Sequence, residues 1–371
     1  MTKVLFIHQT RIGSLSATGQ LLSLLLEGLD DKFELYEIAQ NIDNVPSTIR
    51  FWDLAQFISK NKEETTENLM ALIFDIAPQV IIFRPDQKLM NLSDCIVKSA
   101  DTIGAKLIGS VMDSWEGSTH NSVLSKIFKA ADSLWFISEG MESYYKGAYK
   151  FSCETFVASN GVDTKHFKYP KVLAKQERGK SLLNVTFTGS VNLNQTIEGL
   201  EYTANVIGQL NSKVILNIFS RQYKTELANK LTKNSGVISS PPIVSYDRYL
   251  RKINQADVLL IPYGWSQEVL TYLKYSFGNK IPEYLACGVP IVVLGSNELN
   301  SVKYLADIEG VKVITNHNPL DIQEELKEYF TYLLENYDCE LEKSQRRKIK
   351  TLEGFSIQNQ RNILEQRLLC V

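Results

Sequence analysis

Short apolar runs of strand length recur along this chain with helix-length segments between most of them, and that alternation restricts the fold more than any other feature. Lys3 to His8, Phe33 to Ala39, Val80 to Arg84, Lys106 to Met112, Ser133 to Ser138 and Thr155 to Ser159 form a first set. Val185 to Gly189, Val214 to Phe219, Val258 to Pro262, Ile291 to Leu294 and Val311 to Thr315 form a second. Strands separated by helices imply parallel βαβ units, and continuously apolar strands imply sheets covered on both faces. Two doubly wound α/β domains follow. Phe51, Leu54, Ala55 and Ile58 repeat at helical spacing, as do Leu69, Leu72, Ile73 and Ile76, and both sets read as core-facing helix stripes.

A length of 371 residues with 44% hydrophobic and 22% charged positions is enough for two separate cores. The 40 basic and 42 acidic residues leave a formal charge of −2, so no field is present that would hold nucleic acid. Cys95, Cys153, Cys287, Cys339 and Cys370 form no C-x-x-C pair, which argues against a disulfide framework or a structural zinc. The opening Met1 to His8 is too short for a secretory signal, and no segment approaches roughly 18 uncharged apolar residues. A cytoplasmic protein is expected. The basic run Arg346 to Lys350 reads as a solvated helix face, with contact at the inner face of a membrane as the lesser reading.

Ligands in doubly wound sheets sit at the carboxyl ends of strands, so the loops there hold the candidates. Tyr275 to Leu294 combines a glycine-punctuated loop, a short helix and a buried strand. Asn279 can cap the helix, Lys280 and Pro282 fall in its first turn, and Gly288 stops it before Ile291 to Leu294. Lys280 and Glu283 lie three apart on one face, offering a cation for a phosphate and a carboxylate for a diol. A solvated Lys/Glu pair is the ordinary alternative.

The stretch Lys280-Ile-Pro-Glu-Tyr-Leu-Ala-Cys-Gly-Val-Pro290 resembles the nucleotide-sugar signature of GT-B glycosyltransferases, especially family 4, in its "K-x-x-E-Y-x-A-x-G-x-P" form. Glu283 stands where the second glutamate of the family's "E-x7-E" binds the donor ribose, and Tyr275 stands where the first would be. Gly189-Ser-Val-Asn-Leu-Asn-Gln195 is similar to the family's first donor loop, whose amides receive a diphosphate; a plain βα turn explains it equally well. Gly189 and Ser190 belong to that loop, and Arg221 or Lys280 would supply the positive charge. Val244 to Pro262 resembles the family's "V-x-Y-x-x-L-x-x-x-x-x-A-D-V-x-L-x-P" passage, in which backbone groups at Ser245 and Tyr246 meet the nucleobase; a helix cap explains Ser245 without any ligand. Asn160 to Phe167 resembles the "N-G-V-D-x-x-x-F" that closes the first domain, and Lys171 to Lys180 has a linker's composition. The boundary is placed near Tyr169: a first domain of 1–168, completed by about 353–371 as a terminal helix crosses back, and a second of 169–352, the two facing a cleft.

On the acceptor side, Val111-Met-Asp-Ser-Trp-Glu116 resembles a "D-x-W-(P)-E" element, placing Asp113 to orient an acceptor hydroxyl or take its proton. A capping role for Asp113 remains open. His120, and Arg11 and Gly13 in the loop after the first strand, are further candidates. No D-x-D triplet, G-x-S-x-G elbow or Walker loop occurs, so no metal and no cofactor is implied beyond the nucleotide-diphosphate sugar as substrate. The resemblance implies transfer of a sugar, with retained configuration, to a hydroxyl of a saccharide or lipid-linked acceptor. A nucleotide-sugar epimerase and a non-catalytic nucleotide-sugar binder are the alternatives.

Overall fold

The computed structural model describes residues 1–14, 16–40, 49–57, 62–86, 89–112, 121–167, 182–210 and 213–369. Contacts divide it into two compact units, one of 1–161 with 357–371 and one of 162–356. Asp113, His120, Tyr169 and the linker-like segment 171–180 lie outside the described residues.

The first unit carries β1 (Thr2–Thr10), β2 (Phe33–Gln40), β3 (Arg50–Asp53), β4 (Val80–Phe83), β5 (Lys106–Val111), β6 (Ser133–Phe136) and β7 (Glu154–Val157). They form one parallel sheet in the order β3-β2-β1-β4-β5-β6-β7. Its helices are α1 (Ala17–Leu26), α2 (Lys62–Ile76), α3 (Ser93–Ile103), α4 (Asn121–Ala130) and α5 (Glu139–Ala148). The second unit holds β8 (Leu183–Thr188), β9 (Val214–Phe219), β10 (Val237–Ser240), β11 (Val258–Pro262), β12 (Ile291–Leu294) and β13 (Val311–Ile314), a parallel sheet in the order β10-β9-β8-β11-β12-β13. With it come α6 (Ile197–Gln209), α7 (Glu226–Leu231), α8 (Tyr246–Gln255), α9 (Gln267–Leu273), α10 (Ile281–Cys287), α11 (Asn300–Ala306) and α12 (Pro319–Gly354). The chain then returns to the first unit as α13 (Ile357–Leu369), where Arg361 donates to the Leu24 carbonyl at 2.7 Å and the Ser159 amide donates to Gln360 at 2.7 Å.

Strand order reverses between β1 and β4 in one sheet and between β8 and β11 in the other, the switch points where such sheets open a crevice at their carboxyl edges. At these points β4 and β11 are buried at every residue, as helices on both sides require.

Two sequence expectations fail here. The segment read as a helix stripe from Phe51 to Ile58 is strand β3 followed by a short 3-10 turn, Leu54–Gln56. Ala55 is exposed and Ile58 lies outside the described residues, so the apparent period marks no buried face. The edge of β2 recruits the segment instead, pairing Tyr36 with Arg50 and stacking Trp52 on Tyr36 with ring centroids 6.0 Å apart. The basic run is likewise not one solvated face. Arg346 is exposed and pairs with Glu309 at 2.5 Å, whereas Arg347 and Lys348 are buried. Arg347 donates to the carbonyls of Val289 (2.8 Å), Gly310 (2.9 Å), Glu309 (3.2 Å) and Leu285 (3.4 Å), tying α12 to the ends of α10, β12 and β13. Burial pulls its pKa down to about 10. Among the described residues no helix is long and apolar enough to cross a membrane.

Gly199 lets α6 approach the end of β11, since a Cβ there would lie 2.6 Å from the Tyr263 carbonyl oxygen and 2.8 Å from that of Pro262. Backbone on both sides leaves no flexible atom to yield. Gly199→Ala is expected to lower the unfolding free energy by about 1–3 kcal/mol, overriding alanine's better helix propensity. Urea denaturation with an unchanged m-value checks this, and a stabilised variant would contradict the close approach.

Candidate functional site

The site forms where β8, α8 and the start of α10 converge. Tyr284, buried on α10, receives the Thr188 amide on its hydroxyl oxygen at 3.1 Å and shares a hydrogen bond with the Thr188 hydroxyl at 2.9 Å. That tie brings the end of β8 beneath the first turn of α10. Gly189 follows, and a Cβ on it would meet the Phe187 ring at 2.9 Å and Lys280 Nζ at 3.5 Å. The Phe187 ring is what crowds that position, while the lysine tip lies at ordinary contact distance.

The helix start differs from expectation by one residue. Lys280, not Asn279, is the capping position, no side chain caps the helix there, and Pro282 sits in the first turn. Gly288 ends α10 at φ 66°, a left-handed conformation that suits glycine. Gly278 is confined too, because a Cβ would lie 2.6 Å from the Tyr263 hydroxyl.

Glu283 and Lys280 stand three residues apart at the start of α10. Glu283 Oε1 accepts a hydrogen bond from the Tyr246 hydroxyl at 3.0 Å and Oε2 from the Tyr249 hydroxyl at 2.5 Å. Lys280 Nζ has no hydrogen-bond acceptor among the described residues. Lys280, Glu283 and Tyr249 keep some exposed surface, but their polar ends are densely surrounded by protein, and desolvation is the leading influence on each. Burial lowers the Lys280 pKa, with Glu283 pulling it back up. Burial raises that of Glu283, opposed by Tyr249, Lys280 and Tyr246. Both tyrosines are pushed upward by burial and by Glu283, so they stay protonated and donate.

The remaining candidates are placed as follows. Ser190 is exposed, and its carbonyl accepts from Thr196 Oγ1 at 2.6 Å, which shapes the turn into α6. The Val191 amide donates to Gln222 at 3.4 Å, so a glutamine beyond β9 braces the same turn. Arg221 is exposed just past Ser220. Ser245 is exposed and caps α8, accepting from the Arg248 amide at 3.5 Å, while Tyr246 stacks on Tyr249 at 6.0 Å and meets His166 edge-on at 6.2 Å. Tyr275 is half-buried with the Lys274 ammonium 5.7 Å from its ring centre. Gly189, Tyr246, Lys280 and Glu283 are thus brought into one constellation.

In the first unit, Arg11 is buried with its guanidinium 4.0 Å from the Phe51 ring centre, and the Gly13 amide donates to the Gly19 carbonyl at 2.8 Å. Beneath that loop lies a pair that the sequence reading passed over. Glu37, fully buried, accepts from the Ile12 amide at 2.5 Å and lies 2.9 Å from His8 Nε2. The signal was a charge inside the apolar run Phe33 to Ala39. Tyr249 and Tyr284 were also missed; Tyr249 stands three residues after Tyr246 and so on the same helix face. Among the described residues no group of three or more His, Cys, Asp or Glu side chains is placed to hold a metal ion.

The shifts at Glu283 and Lys280 have opposite signs and a pH consequence. Glu283 has a folded pKa above the ordinary 4.5, so its ionised form costs stability at neutral pH, and it protonates at a higher pH than an exposed glutamate. Lys280 has a folded pKa below the ordinary 10.5, so its charge also costs stability at neutral pH and is lost earlier as pH rises. An anionic diol ligand needing both charged forms should bind in a bell-shaped window, with the acid limb above 4.5. Titration calorimetry across pH checks this, and Glu283→Gln should abolish the acid limb alone.

No protein-family model and no curated protein sequence matches the chain. Solved structures do. HepE of Anabaena in complex with UDP and glucose superposes with a TM-score of 0.74 at 12% identity over 100% of both chains. A sucrose-phosphate synthase from Thermosynechococcus elongatus gives 0.72 at 12% identity, covering 99% of this chain and 98% of its own. The lipopolysaccharide outer core galactosyltransferase WaaB, without ligand, gives 0.64 at 13% identity over 99% and 100%. At these identities the likeness establishes the fold: the chain is a GT-B protein.

Proposed function

We infer that this GT-B chain is a glycosyltransferase that takes its sugar from a nucleotide-diphosphate donor and passes it to a hydroxyl of a saccharide or lipid-linked acceptor, with retained configuration and without a metal, in the manner of family 4. The observation that carries the reading is the Lys280 ammonium poised over Gly189, beside a carboxylate held by two tyrosines. HepE, which shares the fold, is described in complex with UDP, with UDP-glucose and with UDP and glucose.

In this reading Glu283 accepts the ribose hydroxyls, Gly189 and Ser190 present backbone amides to the diphosphate, and Tyr246 borders the nucleobase. When the bond from the anomeric carbon to the phosphate oxygen breaks, negative charge collects on the departing diphosphate. Lys280, or Arg221 two residues past the end of β9, offsets that charge, which is the service a metal provides in other transferases. Asp113, on the chain just after β5, orients the acceptor hydroxyl or takes its proton.

The test is calorimetric titration with UDP, GDP, ADP and CMP, followed by incubation of the matching nucleotide-sugar with and without an acceptor panel. Tight binding of one nucleotide and product only when acceptor is present supports transfer. An isomerised donor formed without acceptor identifies an epimerase, and binding with neither transfer nor hydrolysis identifies a non-catalytic binder.

A further inference from the structure

We propose that Tyr246 and Tyr249 are positioning residues that aim the Glu283 carboxylate at a vicinal diol and so make the site select ribonucleotides over 2′-deoxyribonucleotides. The inference rests on the nucleotide reading above and adds the means of sugar discrimination.

The geometry begins on α8. Tyr246 and Tyr249 are three residues apart and share a helix face, their rings stacked at 6.0 Å with planes 27° apart. Each hydroxyl donates to a different oxygen of Glu283, Tyr246 to Oε1 at 3.0 Å and Tyr249 to Oε2 at 2.5 Å. An ionised carboxylate accepts only, with about two sites on each oxygen. The tyrosines fill one site on each, which leaves one open site on each oxygen. Two open acceptor sites on adjacent oxygens suit two hydroxyls on neighbouring carbons, and a sugar lacking one hydroxyl leaves a desolvated acceptor empty. The two hydroxyl hydrogen bonds orient the carboxylate, so the open sites are set before any ligand arrives.

The experiment measures dissociation constants for UDP, GDP, ADP and CDP beside their 2′-deoxy counterparts, on the unaltered protein, Tyr249→Phe, Tyr246→Phe and the double variant. The unaltered protein should favour the ribonucleotide about tenfold or more. Tyr249→Phe should reduce that preference severalfold, through weaker ribonucleotide binding with the deoxynucleotide constant nearly unchanged, and the double variant should abolish it. A change that merely loosened the site would weaken both ligands by the same factor and overturn the proposal, as would variants that keep the full preference. Should Tyr249→Phe fail to fold, as circular dichroism would report, Tyr246→Phe carries the same comparison. Absence of binding by the unaltered protein to all the nucleotides overturns the nucleotide reading itself, an outcome distinct from a ribose preference that survives in the phenylalanine variants.

Discussion

Lys280→Met should lower turnover about 100- to 1000-fold, the scale of losing one preorganised group that meets charge developing in a transition state. Methionine keeps an apolar stem of similar length and removes the charge that sits beside Gly189. Nζ has no hydrogen-bond acceptor among the described residues, and burial lowers its pKa against the pull of Glu283. Because burial outweighs the attraction of Glu283 at that charge, its removal should leave the melting temperature unchanged or raise it. Loss of activity with retained or improved stability is the signature of a functional lysine. Turnover near that of the unaltered protein would end its assignment, and a stability loss in step with activity would make Lys280 structural.

Asp113→Asn is expected to lower turnover about 100-fold or more while nucleotide affinity stays within about twofold, since its proposed work is on the acceptor hydroxyl and not on the donor. If Asp113 only caps a turn, Asp113→Ala should instead cost about 0.5–2 kcal/mol of stability with activity per folded molecule retained. Measuring turnover, nucleotide affinity and melting temperature on both variants separates the two. Near-normal turnover in the asparagine variant would retire the catalytic role.

Local rules and tertiary demands part company at identifiable residues. Asn279 is a residue type suited to a cap, yet Lys280 takes the position: its carbonyl accepts from the Tyr284 amide at 2.9 Å, and the Gly278 carbonyl accepts from the Ile281 amide at 3.0 Å in the turn before it. The Phe51 to Ile58 pattern fits a helix on spacing alone, and the open edge of β2 converts its first half to a strand. Strand β10 gave little signal because Val237–Ser240 is a short edge strand buried at only its first residue.

The alternation of continuously apolar strands with helices was enough to determine two parallel doubly wound sheets, since only covered faces tolerate such strands and only crossover helices join them in parallel. Lys280 and Glu283 together at the start of one helix, and Gly288 at its end, were legible as well, because charge spacing and helix termination are local requirements on residue type. What the chain alone did not determine was which groups would be neighbours across 34, 37 and 96 residues of sequence: Tyr249 and Tyr246 on Glu283, and Tyr284 on Thr188. Neither the burial of Arg347 inside a basic run nor the seating of Glu37 on His8 was legible either. Hydrogen bonds of this kind are chosen by how sheets and helices stack, and a buried polar side chain must find its partner wherever packing puts one.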